Sequence, residues 1–139
     1  MSVMQMLHPN VRIERNVRID PNVRIGRNVI VMPGTVVEPG TMIDADVVIG
    51  RFVRIGSDVV IESGAVIHDN AWIGNGAVIQ SDAVIGSNAV IESDAQVERG
   101  KIIPRSAYVE TYRGVTKIHS AFQEMEFESS DMSDCARVS

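Results

Sequence analysis

The sequence predicts an all-β fold, a solenoid made from one short strand and one turn repeated along most of the chain. Three observations carry that prediction. β-Branched apolar residues recur every six positions from Val11 onward, with no slip in frame. The residue closing each six is Asn, Asp or Gly, except at Phe52, Ser106 and Tyr112. A helix would need a period near 3.6, which a strict six does not supply.

Each position of the six has its own reason. Position three is Ile or Val in every repeat from Ile13 to Val109, and Val115 extends the series once more. Such side chains are stiff at χ1 and fit a pleated surface. Position one is Val early and Ala from Ala65 to Ala95. Positions one and three share a strand face, and position two points the other way. The first and third are therefore expected inside and the second outside. Asn, Asp and Gly at position six tolerate φ > 0, so each six ends in a tight corner. One such unit cannot bury its apolar face alone, so units must stack. Lys101 breaks the small-residue rule at position one, which predicts that the regular helix ends nearby.

Composition narrows the function. The chain has 139 residues, 13 Lys+Arg and 18 Asp+Glu, a net charge of −5. That length suits one domain. The acidic balance argues against nucleic acid as the main partner. No apolar run approaches the roughly 18–20 residues of a membrane-spanning helix. Residues 1–10 lack the basic and apolar stretches of a secretory signal. A soluble, cytoplasmic protein is the default expectation. The lone Cys135 supports neither an internal disulfide nor a cysteine-based metal site.

The pattern Ile-Gly-x-x-Ala/Val at Ile55-Gly56, Ile73-Gly74 and Ile85-Gly86 resembles the hexapeptide repeat of the bacterial transferase hexapeptide superfamily. The resemblance covers residues 11–118. It implies a left-handed parallel β-helix with three hexads per coil, hence about six three-sided coils. It also implies homotrimers with roughly parallel prism axes, and acyl transfer from an acyl-coenzyme A or acyl-carrier donor. With three hexads per coil, each residue stacks on the one eighteen later, and Ile25, Ile43, Ile61, Ile79, Val97 and Val115 form one of three interior columns.

Position two then labels the outer walls. On the first wall stand Arg12, Ile30, Val48, Val66, Val84 and Ile102, an aliphatic stripe after its opening arginine. A monomer seldom exposes such a patch, so the stripe is the expected oligomer interface; the plainer reading is strand propensity alone. The second wall carries Arg18, Val36, Arg54, Trp72, Val90 and Tyr108, and the third Arg24, Met42, Val60, Val78, Gln96 and Gly114. Arg54, Trp72 and Tyr108 are the candidate binding residues, able to stack on a small molecule or a protein partner.

The ends read differently. Arg12, Arg15, Arg18, Arg24 and Arg27 make the first coil basic; they are read as protection of an exposed end against edge-to-edge stacking, or as an anion site. Residues 1–10 are expected to cap the helix. Residues 119–139 form an acidic tail, with a short helix from Ser120 to Glu128 presenting Phe122 and Met125, and disorder beyond.

The candidate chemistry centres on His68. Its context, His68-Asp69-Asn70-Ala71-Trp72, is similar to the His-Asp segment of sugar and lipid-A acyltransferases of that superfamily. The resemblance implies His68 as general base and Asp69 as its orienting carboxylate. An imidazole titrating near neutrality suits that task. In those enzymes the histidine stands at position five of its hexad, whereas His68 stands at position four. No two histidines lie close in sequence, so no three-histidine metal site is expected. The chain also has no loop interrupting the repeats and no Gly-rich Pro-Ala segment at 101–106. Two functions follow: an acyl-CoA-dependent acyltransferase working through His68, or a non-catalytic trimeric scaffold binding partners through its faces and tail.

Overall fold

A computed structural model describes residues 10–120. Strand formation follows the hexad. Positions two and three form a two-residue strand in each, from β1 (Arg12–Ile13) to β16 (Ile102–Ile103), before two longer strands, β17 (Tyr108–Tyr112) and β18 (Val115–His119). Every third strand pairs in parallel, so Ile30 lies over Arg12 and Val66 over Val48. Three sheets result: A with six strands, B with seven and C with five. They are the walls of a prism of five full coils and two sides of a sixth, about 27 Å tall at roughly 4.8 Å per coil.

The interior is built from positions one and three. Ile49, Ile55, Ile61, Ile73, Ile79, Ile85 and Ile91 are fully buried, as are Ala65 to Ala95 at position one. Thr35 and Thr41 also occupy position one. Their hydroxyls donate to the carbonyls of Gly50 and Gly56 at 2.7 and 2.6 Å and accept from the amides of Val53 and Val59, so no polar group is stranded. Position six takes positive φ at nearly every corner, between 54° at Phe52 and 83° at Gly34.

The structure corrects the sequence at the upper end. After Lys101 the helix runs on through β16 and into β17. It ends when β17 and β18 fold into an antiparallel hairpin, with Tyr108 opposite His119 and Val109 opposite Ile118. Val115 is therefore not the top of an interior column; it is 57% exposed on the hairpin. Ile118 packs against the core instead. Gly114 is a turn residue rather than part of the third wall. The Arg113-Gly114 turn has φ of 53° and 79°, the two positive values of the tight hairpin turn that matches strand twist. The expected N-terminal cap, except Asn10, and the helix with Phe122 and Met125 lie outside the described residues; Ser120, its predicted start, is buried.

Candidate functional site

With a packed interior, chemistry is confined to the outer walls and edges. Wall A presents Ile30, Val66 and Val84 partly exposed, Val48 at 37% and Ile102 at 69% exposure. Successive rungs are hydrogen-bonded neighbours, so the five side chains form one continuous apolar strip. The edge opposite wall A, where sheet B turns into sheet C, carries Asp20, Glu38, Asp58, Glu92, Asp94 and Glu110, with no Lys or Arg at the same corner positions. The C–A edge beside wall A carries Asp44, Asp46, Glu62, Asp82 and Glu98 with Arg27 and Arg99, so the edge opposite wall A is the one whose carboxylates stand without a basic residue.

His68 stands on the edge between walls A and B, two residues past Val66. It is exposed, and among the described residues its ring makes no hydrogen bond. Its main-chain N–H donates to Ile85 O at 2.9 Å. Asp69 does not meet it. Instead, Asp69 Oδ1 accepts the backbone N–H of Arg51 at 2.8 Å, one coil below. Asn75 does the same for Ser57 at the next corner. The reason is visible at Gly50: a Cβ there would lie 2.5 Å from Asp69 Oδ1, so the glycine leaves room for a carboxylate that satisfies the corner amide.

On wall B, Arg54 and Trp72 are adjacent rungs, and Val90 separates Trp72 from Tyr108. All three predicted binding residues are exposed. They share one wall. A groove of ≈ 520 Å³ lies on wall C, lined by Arg24, Met42, Val60, Asp44 and Glu62 among others, and excludes His68. Arg54, Trp72 and Tyr108 line neither that groove nor the clefts beside Gln96, Tyr112 and Arg18.

A polar cluster at the top of wall B was not singled out from the sequence. The Tyr108 hydroxyl donates to Glu92 Oε2, and His119 Nε2 pairs with Glu110 Oε2 at 2.9 Å. The Tyr108 and His119 rings lie 5.9 Å apart. The hydrogen bond to the Glu92 carboxylate, with slight desolvation and the negative charges of Glu92 and Glu110, pushes the Tyr108 phenol up to about 12. The eighteen-residue register places Tyr108 over Val90 and Glu110 over Glu92, so it does not by itself show that the Tyr108 hydroxyl reaches the Glu92 carboxylate two residues along. His119 joins only because of the hairpin, which the hexad period hides. Among the described residues no group of His, Cys, Asp and Glu could hold a metal ion, and no helix is long and apolar enough to cross a membrane.

Comparison with known proteins agrees with this architecture. The family described as the EIF2B subunit epsilon LbH domain matches residues 7–115. No curated protein matches. Among solved structures, the chain is similar to a variant of GDP-perosamine N-acetyl transferase from Caulobacter crescentus in complex with CoA and GDP-perosamine. The identity is 21%, over 82% of this chain and 55% of that one, with a TM-score of 0.65. It is also similar to a hexapeptide transferase family protein from Anaplasma phagocytophilum. There the identity is 21%, over 84% of this chain and 83% of that one, with a TM-score of 0.50. The chain spans about half the length of the Caulobacter transferase, and the likeness is one of fold. The chain is a left-handed parallel β-helix of the hexapeptide-repeat class and belongs to the EIF2B subunit epsilon LbH domain family.

Proposed function

We propose that this chain is an assembly module: a rigid prism that associates through wall A, in the first instance into a homotrimer. The observation that carries this reading is the aliphatic strip from Ile30 to Ile102 set opposite an edge of six carboxylates. Water solvates the acidic edge well and the apolar strip poorly, so burying the strip against protein lowers the free energy. The frame is regular from β1 to β16, which suits a surface used for packing more than a pocket used for chemistry. The family is that of a domain within a subunit, which points the same way. Val84→Lys tests it. A lysine within the strip, between Val66 and Ile102, should dissociate the assembly, seen as a fall in light-scattering mass with the β-sheet circular dichroism retained. An unchanged mass counts against an interface there.

A second reading is favoured by one observation, the exposed and unbonded imidazole of His68 at the rim of wall A. On this reading the neutral ring removes the proton of an acceptor hydroxyl or amine as that group attacks an acyl-CoA thioester. The carbon–sulfur bond then breaks, and the departing thiolate takes up the proton. The site would lie between subunits, with Arg54, Trp72 and Tyr108 of wall B holding substrate. Asp69 Oδ1 is held by the Arg51 amide, so on this reading Oδ2 is the oxygen left to orient His68. Coenzyme A at 100 times its dissociation constant should stabilise the fold by about 2.7 kcal/mol. An unmoved melting temperature at millimolar coenzyme A removes this reading.

A further inference from the structure

Phe52 breaks the corner rule and carries a consequence for how copies meet. Its φ of 54° is left-handed, a conformation shared along the prism by Asn, Asp, Gly and Ser but unfavourable for a bulky side chain. The ring lies over Gly34, where an added Cβ would sit 2.5 Å from it. Yet the side chain remains 64% exposed, so covering Gly34 uses little of the phenyl surface. In an isolated prism, asparagine at this corner would be less strained and better solvated. A strained backbone holding an apolar ring in water marks a contact.

The position of the ring identifies that contact. Phe52 stands on the edge between walls A and B, with Met32 and Pro33 in the corner one coil below, Val48 of wall A four residues before it and Arg54 of wall B two residues after. It therefore carries the apolar strip of wall A around the corner toward wall B. In a closed ring of prisms with parallel axes, one edge of every copy converges on the symmetry axis, and the two walls beside it face the neighbours. Like charges brought together there repel. The B–C edge has its six carboxylates, and the C–A edge also carries more acids than bases. The A–B edge has Arg15, Arg51 and Arg105 against Glu14 and Asp69, the smallest imbalance of charge of the three edges.

We propose that the A–B edge is occupied by further copies of this chain, Phe52 of each turned toward the ring axis and wall A of one copy facing wall B of the next. The proposal rests on the reading of wall A as a contact surface and adds which edge lies at the centre. Phe52→Asn is the discriminating variant, because asparagine suits the left-handed corner. At dilutions where both are single chains it should melt at the same or a higher temperature than the parent chain. In sedimentation velocity it should also dissociate at protein concentrations at least about tenfold lower.

Placement is tested separately by a short thiol-to-thiol crosslinker. Phe52→Cys in a Cys135→Ser background should be trapped as a covalent dimer, the largest species that one thiol per chain allows. Asp94→Cys in the same background, on the B–C edge, should stay monomeric on a denaturing gel. If the parent chain assembles and Phe52→Asn assembles equally well, the role of Phe52 is overturned while wall A survives. Crosslinking from Asp94→Cys but not from Phe52→Cys overturns the edge assignment. If the parent chain is monomeric throughout, both readings fall together.

Discussion

Each corner amide of this prism needs an acceptor, and single residues supply it in two ways. At Gly50 and Gly56 the residue is small, and the side chain of Asp69 or Asn75 reaches down from the coil above. At Glu62 and Gln80 the same hexad position sends its own oxygen upward, to the amides of Ser81 and Arg99 at 3.1 Å. These two arrangements account for the glycines at 50 and 56 and for the long acceptors Glu62 and Gln80 at the same hexad position. They also explain why Asp69 is occupied with structure. Tyr108 offers the sharpest test at this scale. Its folded value of about 12 lies above the ordinary tyrosine value of about 10. A group raised on folding stabilises fully below its unfolded value and loses that contribution as pH climbs through the folded one. The Tyr108–Glu92 contact therefore supports the fold up to about pH 10 and fades toward about pH 12. In Glu92→Gln, phenolate absorbance should show Tyr108 titrating back toward the ordinary value; an unmoved transition would show that Glu92 is not the cause.

Among elements, the hairpin decides how the helix stops. A regular sixth coil would place a strand at 114–115 over Gln96. Instead β17 and β18 leave the hexad, and two threonine hydroxyls replace that strand. Thr111 Oγ1 accepts the Gln96 N–H at 3.0 Å, Thr116 Oγ1 donates to Gln96 O at 3.4 Å, and the two hydroxyls bond each other at 2.8 Å. The upper edge of sheet C is thereby closed to another chain. Pro104, at position four of the last hexad on wall A, has no N–H to offer at the upper edge of sheet A. From Val11 to Val109 the period of six was legible because each side chain's direction follows from its place in the repeat. The hairpin was not, because Val115 satisfies the hexad as well as the hairpin. The contrary signal was local: Arg113-Gly114 is flanked on both sides by residues that favour strands, Thr111 and Tyr112 before it and Val115 and Thr116 after it.

For the whole molecule, wall assignments were legible as soon as three hexads were taken per coil, since residues eighteen apart then share a rung. The apolar wall, the aromatic wall and the first-coil arginines all stand where that register puts them. The chemistry was less legible. The spacing of His68 and Asp69 says nothing of which way a corner carboxylate turns, and that depends on the glycine one coil below. Nor does the hexad by itself reveal that the edge farthest from the apolar strip carries six carboxylates and no basic residue, while the C–A edge carries five carboxylates with Arg27 and Arg99. That asymmetry is a property of the closed prism, and it underlies the proposed self-association. Sedimentation equilibrium of the unmodified chain over a wide dilution series is the most direct test. Association through wall A predicts a mass near three times the 15.2 kDa of the chain, falling to one chain only on strong dilution. A mass of 15.2 kDa at every concentration would contradict it.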